Sequence, residues 1–481
     1  MLFNSIEYAI FLPIVFLLYW FVFNKNLKLQ NFFIVVVSYV FYGWWDWRFL
    51  FLIAFTSLCS YVSGLLIEKF REDSGKAKAV NVLNIVVNLL ILGVFKYYDF
   101  FVTSFANAFL DGRTEGLLLK VILPVGISFY TFQALSYSID VYRGKLAPTR
   151  DVIQFFAYVS FFPQLVAGPI ERATNLLPQF AKPRTFEYET GVDGMRQILW
   201  GLFKKMVVAD NCAVYVDQVF STYQTQSGST LLLAAILFAF QIYGDFSGYS
   251  DIAIGTAKLF GIKLMRNFNV PYFSRDIAEF WRRWHISLTT WFRDYVYIPL
   301  GGSRCSKWKI VRNTFVIFLL SGFWHGANWT FIAWGAYHAL LFLPLILMGK
   351  NRKYRDVVAQ DRALPTLKEL GQMLLTFFLV VIGWIVFRAE SIGEAWEYFG
   401  GICDSSLLTI PWLKTRSFYV PLMVSILIMS VVEWIGRDSN YCFEIIGRRK
   451  AWIRVISYYL LILSLFYLAP TENVQFIYFQ F

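Results

Sequence analysis

The chain has 481 residues, of which 57% are hydrophobic, 20% aromatic and only 16% charged, with a net charge of +12. Soluble domains carry about 25% charged residues, so this composition excludes a soluble enzyme, a nuclear regulator and a disordered scaffold. Several apolar stretches approach the roughly 20 residues that cross a bilayer core, among them 6–23, 80–95, 370–387 and 455–468. The chain is therefore predicted to be an all-α, polytopic membrane protein.

Hydrophobic stretches alternate with charged loops along the chain, which predicts roughly 11 or 12 membrane crossings. Basic residues concentrate in the loops 24–30, 68–78, 142–150, 349–369 and 437–454. The alternation places all of these loops on one side, which the charge bias makes cytoplasmic, so both termini are predicted to be periplasmic. The first apolar stretch follows no basic segment and precedes no cleavage site, which favours a retained helix over a removable signal.

The middle of the chain departs from plain spanning helices. Residues 155–169 are apolar but contain Pro163, Gly168 and Pro169, so this segment is predicted to be re-entrant, because irregular backbone at membrane depth must be enclosed by protein or line a cavity. Further along, four apolar side chains would share one face of a helix lying in the membrane interface. They are Trp281, Trp284, Leu288 and Trp291.

Histidine is scarce, with three in the chain: His285, His325 and His338. The apolar stretch 313–324 before His325 would span only ~18 Å as a helix, short of a ~30 Å hydrocarbon core. Because the basic loops on both sides are cytoplasmic, His325 is predicted at the turn of a hairpin at membrane depth. A neutral imidazole buried there could be a general base for a hydroxyl attacking an acyl group, or could only bridge two helices.

The other two histidines have simpler interpretations. His285 lies within the tryptophan-rich interfacial segment, where an aromatic and basic belt at headgroup level accounts for it. His338 follows His325 by thirteen residues, which places it ~20 Å further along a helix and on the opposite face. We therefore predict that His338 is structural and does not share a reaction centre with His325.

One apolar span contains two carboxylates, Asp245 and Asp251. Carboxylates at membrane depth are costly unless they are paired or face water, so this segment, with Ser247 between them, predicts a polar cavity. Gly244 and Gly248 have the four-residue spacing of close helix packing. Since six residues on a helix separate the two carboxylates onto different faces, a paired-carboxylate hydrolase is not supported.

Other chemistries lack their motifs. The chain has no GxxxxGK[ST] phosphate loop, no GxGxxG fingerprint, no HExxH zinc motif and no GxSxG nucleophile elbow. Its five cysteines are scattered without a CxxC pair, which supports neither a metal site nor a disulfide framework. Basic residues lie in several loops rather than one stripe, so the bilayer and not a nucleic acid is the expected partner. Histidine-based catalysis and a polar conduction pathway remain.

Several runs of residues, in order along the chain, resemble those of a known family. They are PVGISFYTFQ at 124–133, FPQLVAGPI at 162–170, DFSGYSD at 245–251, the segment 267–301 and GFWHGA at 322–327. With the opening MLFNS, these runs resemble the membrane-bound O-acyltransferase superfamily and, within it, the bacterial alginate O-acetylation branch. The resemblance extends over nearly the whole chain, which predicts one integral-membrane domain, 1–481, with a motif-bearing catalytic core at about 120–340.

The resemblance implies a multi-helix enzyme with a central funnel that leads to a histidine near mid-membrane. The matched histidine is His325, which would be the general base, and a second matched histidine, His285, would assist. The substrate pocket would be lined by Trp324, Asn328, Asp245, Ser247 and Asp251. No bound cofactor and no metal are implied. The donor would be acetyl-CoA or another acyl thioester, for which the basic segment 263–283 offers a cytoplasmic landing site.

The function implied is transfer of an acetyl group across the bacterial cytoplasmic membrane for O-acetylation of an exported polysaccharide, with a periplasmic SGNH-type acetyltransferase as partner. D-alanyl transfer to teichoic acid from a carrier protein is an alternative within the same fold. A polysaccharide or lipid-linked transporter with a structural histidine is an alternative from another class. A third is a non-catalytic scaffold for a periplasmic acetyltransferase.

Overall fold

The structure is a computed structural model that describes residues 1–114, 116–470 and 474–477. Within these residues it is all-helical, with 71% of the chain in helices and no strands, which confirms the predicted fold class. The chain divides into two compact units. The first comprises Met1–Met195 and Ala253–Met265, and the second comprises Arg196–Ile252 and Arg266–Phe481.

The described helices range from 4 residues in α8 to 32 residues in α12. In order they are α1 Ile6–Leu17, α2 Leu27–Gly43, α3 Phe49–Lys69, α4 Ser74–Leu92, α5 Tyr98–Phe109, α6 Ile127–Tyr142, α7 Val152–Ser160, α8 Phe162–Leu165, α9 Ala173–Phe180, α10 Tyr188–Leu202, α11 Asp210–Ser221, α12 Gly228–Leu259, α13 Ile277–Arg283, α14 Ile286–Phe292, α15 Lys307–His325, α16 Trp329–Leu347, α17 Leu367–Arg388, α18 Ile392–Ile402, α19 Arg416–Ile435, α20 Glu444–Gly447 and α21 Ala451–Leu468. Turns of π-helix follow α1, α4, α10 and α14 at Leu18–Val22, Gly93–Tyr97, Phe203–Ala209 and Arg293–Tyr297.

Seven helices in the described part of the chain are long and apolar enough to cross a membrane. They are Phe49–Lys69, Ser74–Phe109, Gly228–Leu259, Trp329–Leu347, Leu367–Arg388, Arg416–Ile435 and Ala451–Leu468, with the shorter apolar helices Ile6–Val22 and Leu27–Gly43 in addition. This count is below the roughly 11 or 12 crossings predicted from apolar stretches. The described helix α6 has only 16 residues, and α15 has three basic residues among its first six, so neither has the length and composition of a plain span.

Apolar side chains cover the outside of several of these helices. Leu83 on α4 is 63% exposed, Leu374 on α17 is 61% exposed and Val455 on α21 is 64% exposed. Contiguous apolar surface of this kind is unfavourable in water and requires a lipid environment. The chain is a multi-pass membrane protein. The predicted exit of residues 470–481 falls largely outside the described residues.

The segment predicted to be re-entrant is broken and enclosed by protein. A break at Phe161 separates α7 from α8, and all side chains from residue 157 to 170 are buried. The Phe162 amide donates a hydrogen bond to Ser38 Oγ on α2 at 3.1 Å. Gly126 approaches α8 so closely that a Cβ there would lie 2.6 Å from the Leu165 carbonyl oxygen. This irregular segment is therefore enclosed by protein within the first unit, as irregular backbone at membrane depth would have to be.

Helices α15 and α16 form the hairpin that carries His325 at its turn, as predicted. Two glycines bring the helix backbones into contact. A Cβ on Gly322 would lie 2.1 Å from the Phe331 carbonyl oxygen, and a Cβ on Gly335 would lie 2.3 Å from the Phe318 carbonyl oxygen. Small residues allow such close approach between membrane helices. The hairpin fixes the position of His325 through backbone packing.

Substitution of Gly322 by alanine is expected to destabilise the protein by about 1–3 kcal/mol, because the added methyl group must push the two helices apart. The measurement is thermal unfolding of the purified protein in detergent. Gly371 on α17 is the matched control, since a Cβ there meets nothing within 4 Å and alanine favours the helix. Equal unfolding temperatures for the two variants would contradict the close packing.

The tryptophan-rich segment differs from the single helix that its spacing predicts. It forms two short helices, α13 and α14, separated at Trp284 and His285. His285 adopts the left-handed backbone conformation, with φ 43° and ψ 54°, which interrupts helical hydrogen bonding. The side chains of Trp281, Trp284, Leu288 and Trp291 are all buried. They pack within the second unit rather than along a lipid interface.

Candidate active site

The second unit brings two of the three histidines together. His285 precedes α14 and His325 is the last residue of α15, and the centroids of their rings lie 6.3 Å apart. Both are buried, with exposed fractions of 0% and 5%. Burial lowers the pKa of His285 to about 3, so this imidazole is neutral and can accept a proton or a hydrogen bond. The structure thus places next to each other the two histidines that were predicted to act together.

An aromatic wall surrounds the histidine pair. Trp324 packs beside both rings, with centroid distances of 5.0 Å to His325 and 5.8 Å to His285. The other aromatic neighbours are Trp334 and Phe387 for His325, and Phe246 and Phe268 for His285. Aromatic rings exclude water and keep the local dielectric low, which strengthens any electrostatic interaction formed there. The predicted pocket residue Trp324 is therefore in contact with both histidines.

Two other predicted pocket residues have different surroundings. Asn328 caps α16, where its Oδ1 accepts a hydrogen bond from the Thr330 amide at 3.1 Å and its Nδ2 donates to the Glu390 carbonyl at 2.8 Å. These bonds give Asn328 a structural role at the turn of the hairpin. Ser247 is buried on α12, one residue after Phe246, which contacts His285. Ser247 therefore lies on the helix that flanks the site.

The predicted carboxylates are each paired with a lysine. Asp245 forms an ion pair with the Lys205 ammonium at 2.8 Å, and Asp251 forms one with the Lys204 ammonium at 2.5 Å. Lys205 also binds Asp210 at 2.6 Å. Pairing offsets the cost of burying these charges at membrane depth. Asp245 additionally accepts a hydrogen bond at 2.7 Å from the backbone amide of Ile477.

The lysine pair was not recognised in the sequence, although a signal is present. Lys204 and Lys205 stand within the apolar stretch 198–209, where an ionisable side chain is costly and usually functional or paired. Their helix packs closely on α12, because a Cβ on Gly201 would lie 2.6 Å from the Gly248 carbonyl oxygen. This contact confirms the close packing predicted from the glycine spacing on α12. It also places both lysines within reach of their carboxylates.

His338 is closer to His325 than the ~20 Å predicted along one continuous helix, because the chain turns after His325 and α16 packs back against α15. The indole of Trp334 stands between the two histidines on the hairpin, with its centroid 5.3 Å from His325 and 5.0 Å from His338. His338 Nδ1 accepts a hydrogen bond from Trp281 Nε1 at 3.4 Å. This packing is consistent with a structural role for His338 between α13 and α16.

Comparison with known proteins agrees with the resemblance found in the sequence. The family model of the membrane-bound O-acyltransferases matches residues 39–379. The chain is 41% identical over 397 residues to the "Probable alginate O-acetylase AlgI" of Pseudomonas aeruginosa, which represents 82% of this chain and 73% of that protein. It is 32% identical over 518 residues to the "Peptidoglycan O-acetyltransferase" of Helicobacter pylori, or 98% and 95% of the two proteins.

A more distant relative is the "Teichoic acid D-alanyltransferase" of Bacillus subtilis, which is 29% identical over 284 residues, 56% of this chain and 70% of that protein. The O-acetylating relatives thus match more of the chain and at higher identity. The family match includes α12, both histidines and the hairpin of α15 and α16. The chain belongs to the membrane-bound O-acyltransferase family and is an O-acyltransferase.

Proposed function

We propose that this protein transfers an acetyl group from a cytoplasmic thioester to an acceptor hydroxyl, and that this acetyl group ends up on an exported polysaccharide. The single observation that carries the proposal is the buried pair of histidines, whose rings are 6.3 Å apart. Acyl transfer to a hydroxyl needs a proton acceptor at the attacking oxygen, and neutral imidazole is suited to this role. The alginate and peptidoglycan O-acetylating relatives support acetate as the group and a polysaccharide as the final acceptor.

In the proposed reaction, the acceptor oxygen attacks the carbonyl carbon of the thioester. The C–O bond forms and the C–S bond breaks, while the hydroxyl proton passes by way of His325 to the departing thiolate. His285 assists from its position beside His325, and the aromatic wall keeps water from hydrolysing the thioester. No bound cofactor or metal is required by this chemistry.

We propose acetyl-CoA as the donor, arriving from the cytoplasm near the basic segment 263–283. Not all cations of this segment are available to bind the donor. Arg275 and Arg283 both bind the buried Glu279, at 3.0 and 2.8 Å, so they hold the protein together. Arg282 is exposed, but its guanidinium donates hydrogen bonds to the Asn351 and Tyr354 carbonyls. Lys263 is exposed as well, and phosphate groups would be attracted to it.

The proposed location is the cytoplasmic membrane of a bacterium, with both termini on the periplasmic side. The alternation of basic loops supports this orientation. In this arrangement the acetyl group leaves on the periplasmic side, where a partner of the SGNH acetyltransferase type would pass it to the polysaccharide.

The acyl group itself distinguishes the proposal from its nearest rival. Exported polysaccharide is purified from cells with and without the gene, and ester-linked groups are released with mild alkali and identified by mass. We expect acetate, present only when the protein is present. D-alanine in its place would establish the carrier-protein alternative, which the more distant teichoic acid relative represents. Unchanged acylation in the deletion strain would exclude both.

A further inference from the structure

Asn267, in the segment that precedes α13, contacts the Nδ1 edge of the His285 ring. Asn267 in this segment is fully buried, and its Oδ1 lies 3.0 Å from Nδ1 of His285. The same oxygen accepts hydrogen bonds from the Ser287 hydroxyl at 2.9 Å and from the Ser287 amide at 3.3 Å. On the other side, Asn267 Nδ2 donates to Ser250 Oγ on α12 at 3.1 Å. Asn267 therefore connects three elements around one imidazole.

These contacts determine which way the Asn267 carboxamide faces. A backbone N–H can only donate, so the atom facing the Ser287 amide must be the carboxamide oxygen. That oxygen can only accept, so the His285 Nδ1 beside it must carry the proton. Since burial keeps the ring neutral, the lone pair is then on Nε2.

The backbone of His285 is also fixed by Asn267. The Ile286 amide donates to the Asn267 carbonyl at 2.8 Å, immediately after the left-handed residue His285. A left-handed conformation costs a non-glycine residue about 1–3 kcal/mol and persists only where its surroundings enforce it. The main chain and the side chain of Asn267 thus act together on one histidine.

We propose that Asn267 is a positioning residue that fixes His285 as the Nδ1–H tautomer and so reserves Nε2 as the proton or hydrogen-bond acceptor of the acyl-transfer site. The mechanistic part of this inference rests on the proposed function, whereas the tautomer itself does not. The ring of His285 is otherwise faced by Phe246 of α12, by Phe268 of the segment and by Trp324 and His325 of α15. Among these described neighbours of the ring, His325 is the titratable group.

The tautomer can be observed directly by nitrogen NMR of the full-length protein labelled with ¹⁵N-histidine, in detergent or nanodiscs. The chain has only three histidines, so single substitutions of His325 and His338 by glutamine assign the signals. We expect the signal of His285 to show a protonated Nδ1 and an unprotonated Nε2. A protonated Nε2 in the wild-type protein would overturn the inference.

Two substitutions of Asn267 test its role. Asn267→Asp keeps an acceptor at Nδ1 but adds a negative charge that stabilises the imidazolium, so the pH at which His285 titrates should rise while the tautomer is retained. Asn267→Leu removes the acceptor, so both tautomers should appear and acetate on the polymer should fall by roughly 10- to 100-fold, the usual scale for outer partners of a functional histidine. If Asn267→Leu does not fold, the titration of Asn267→Asp decides the question.

Asn269→Asp is the matched control, because it adds the same charge two residues away, in the same segment. The Asn269 backbone carbonyl is 3.4 Å from the Arg283 guanidinium, and the His285 titration should not move in this variant. An equal shift in the two aspartate variants would overturn a specific role for Asn267. The predicted tautomer in a protein that yields no acetylated polymer would refute the proposed function and leave the tautomer assignment intact.

Discussion

Replacement of His325 by alanine is expected to abolish O-acetylation of the exported polysaccharide while the polymer is still made. A general base typically contributes 10²- to 10⁴-fold to the rate, and loss on this scale leaves no measurable ester in cells. His325 is 95% buried and ringed by Trp324, Trp334 and Phe387, so water cannot readily take its place. The measurement is ester-linked acetate per unit of polymer, with membrane levels of each variant matched.

Two further variants make this result interpretable. His285→Ala should lower acetate less severely, because His285 assists rather than initiates the reaction. His338→Gln is the control of the same residue type, and it should retain most of the acetate since His338 packs behind Trp334. A transporter or a non-catalytic scaffold predicts wild-type acetate in His325→Ala. That outcome would assign His325 a structural role.

Replacement of Lys205 by methionine is expected to destabilise the protein by about 3–5 kcal/mol, because it leaves two buried carboxylates without their cation. Asp210 and Asp245 bind Lys205 at 2.6 and 2.8 Å, and all three side chains are at most 7% exposed. A loss of this size should reduce the amount of protein in the membrane several-fold. Membrane abundance and thermal unfolding in detergent are the measurements.

The control for Lys205→Met is Lys76→Met. Lys76 binds Asp73 at 3.0 Å, but this pair is largely exposed to solvent, so its loss should leave the unfolding temperature and the membrane abundance nearly unchanged. The triple variant Lys205→Met, Asp210→Asn, Asp245→Asn should recover part of the lost stability, since a neutral network replaces unpaired charges. No recovery in the triple variant would show that Lys205 stabilises the protein through packing rather than through its charge.

Features encoded by neighbouring residues were predictable from the sequence. The prolines and glycine between 163 and 169 indicate a broken element, and the structure breaks there because those residues cannot sustain a helix. The short apolar stretch before His325 indicates a hairpin, and the glycines of α15 and α16 allow that hairpin to close. In both cases the decisive information lies within about one helix length of chain.

Features that depend on distant partners were not predictable in the same way. The spacing of Trp281 and Trp284 favours a continuous helix, but hydrogen bonds that Asn267, outside that helix, accepts from His285 and Ile286 hold His285 in a left-handed conformation. Similarly, the cation that pairs with Asp251 of α12 is Lys204, which lies on another helix. A pattern read along one helix cannot reveal these pairings, although the rarity of buried charge indicates that a partner must exist.

The buried lysines also have a consequence for how the protein is made. Each lysine near the centre of an inserting helix costs about 2.5–3.5 kcal/mol, so the helix that carries Lys204 and Lys205 enters lipid poorly by itself. Its partners Asp245 and Asp251 belong to α12, which leaves the ribosome later. Lys205 also has Asp210 five residues later, but Lys204 has to wait for Asp251, so we expect this helix to insert together with α12.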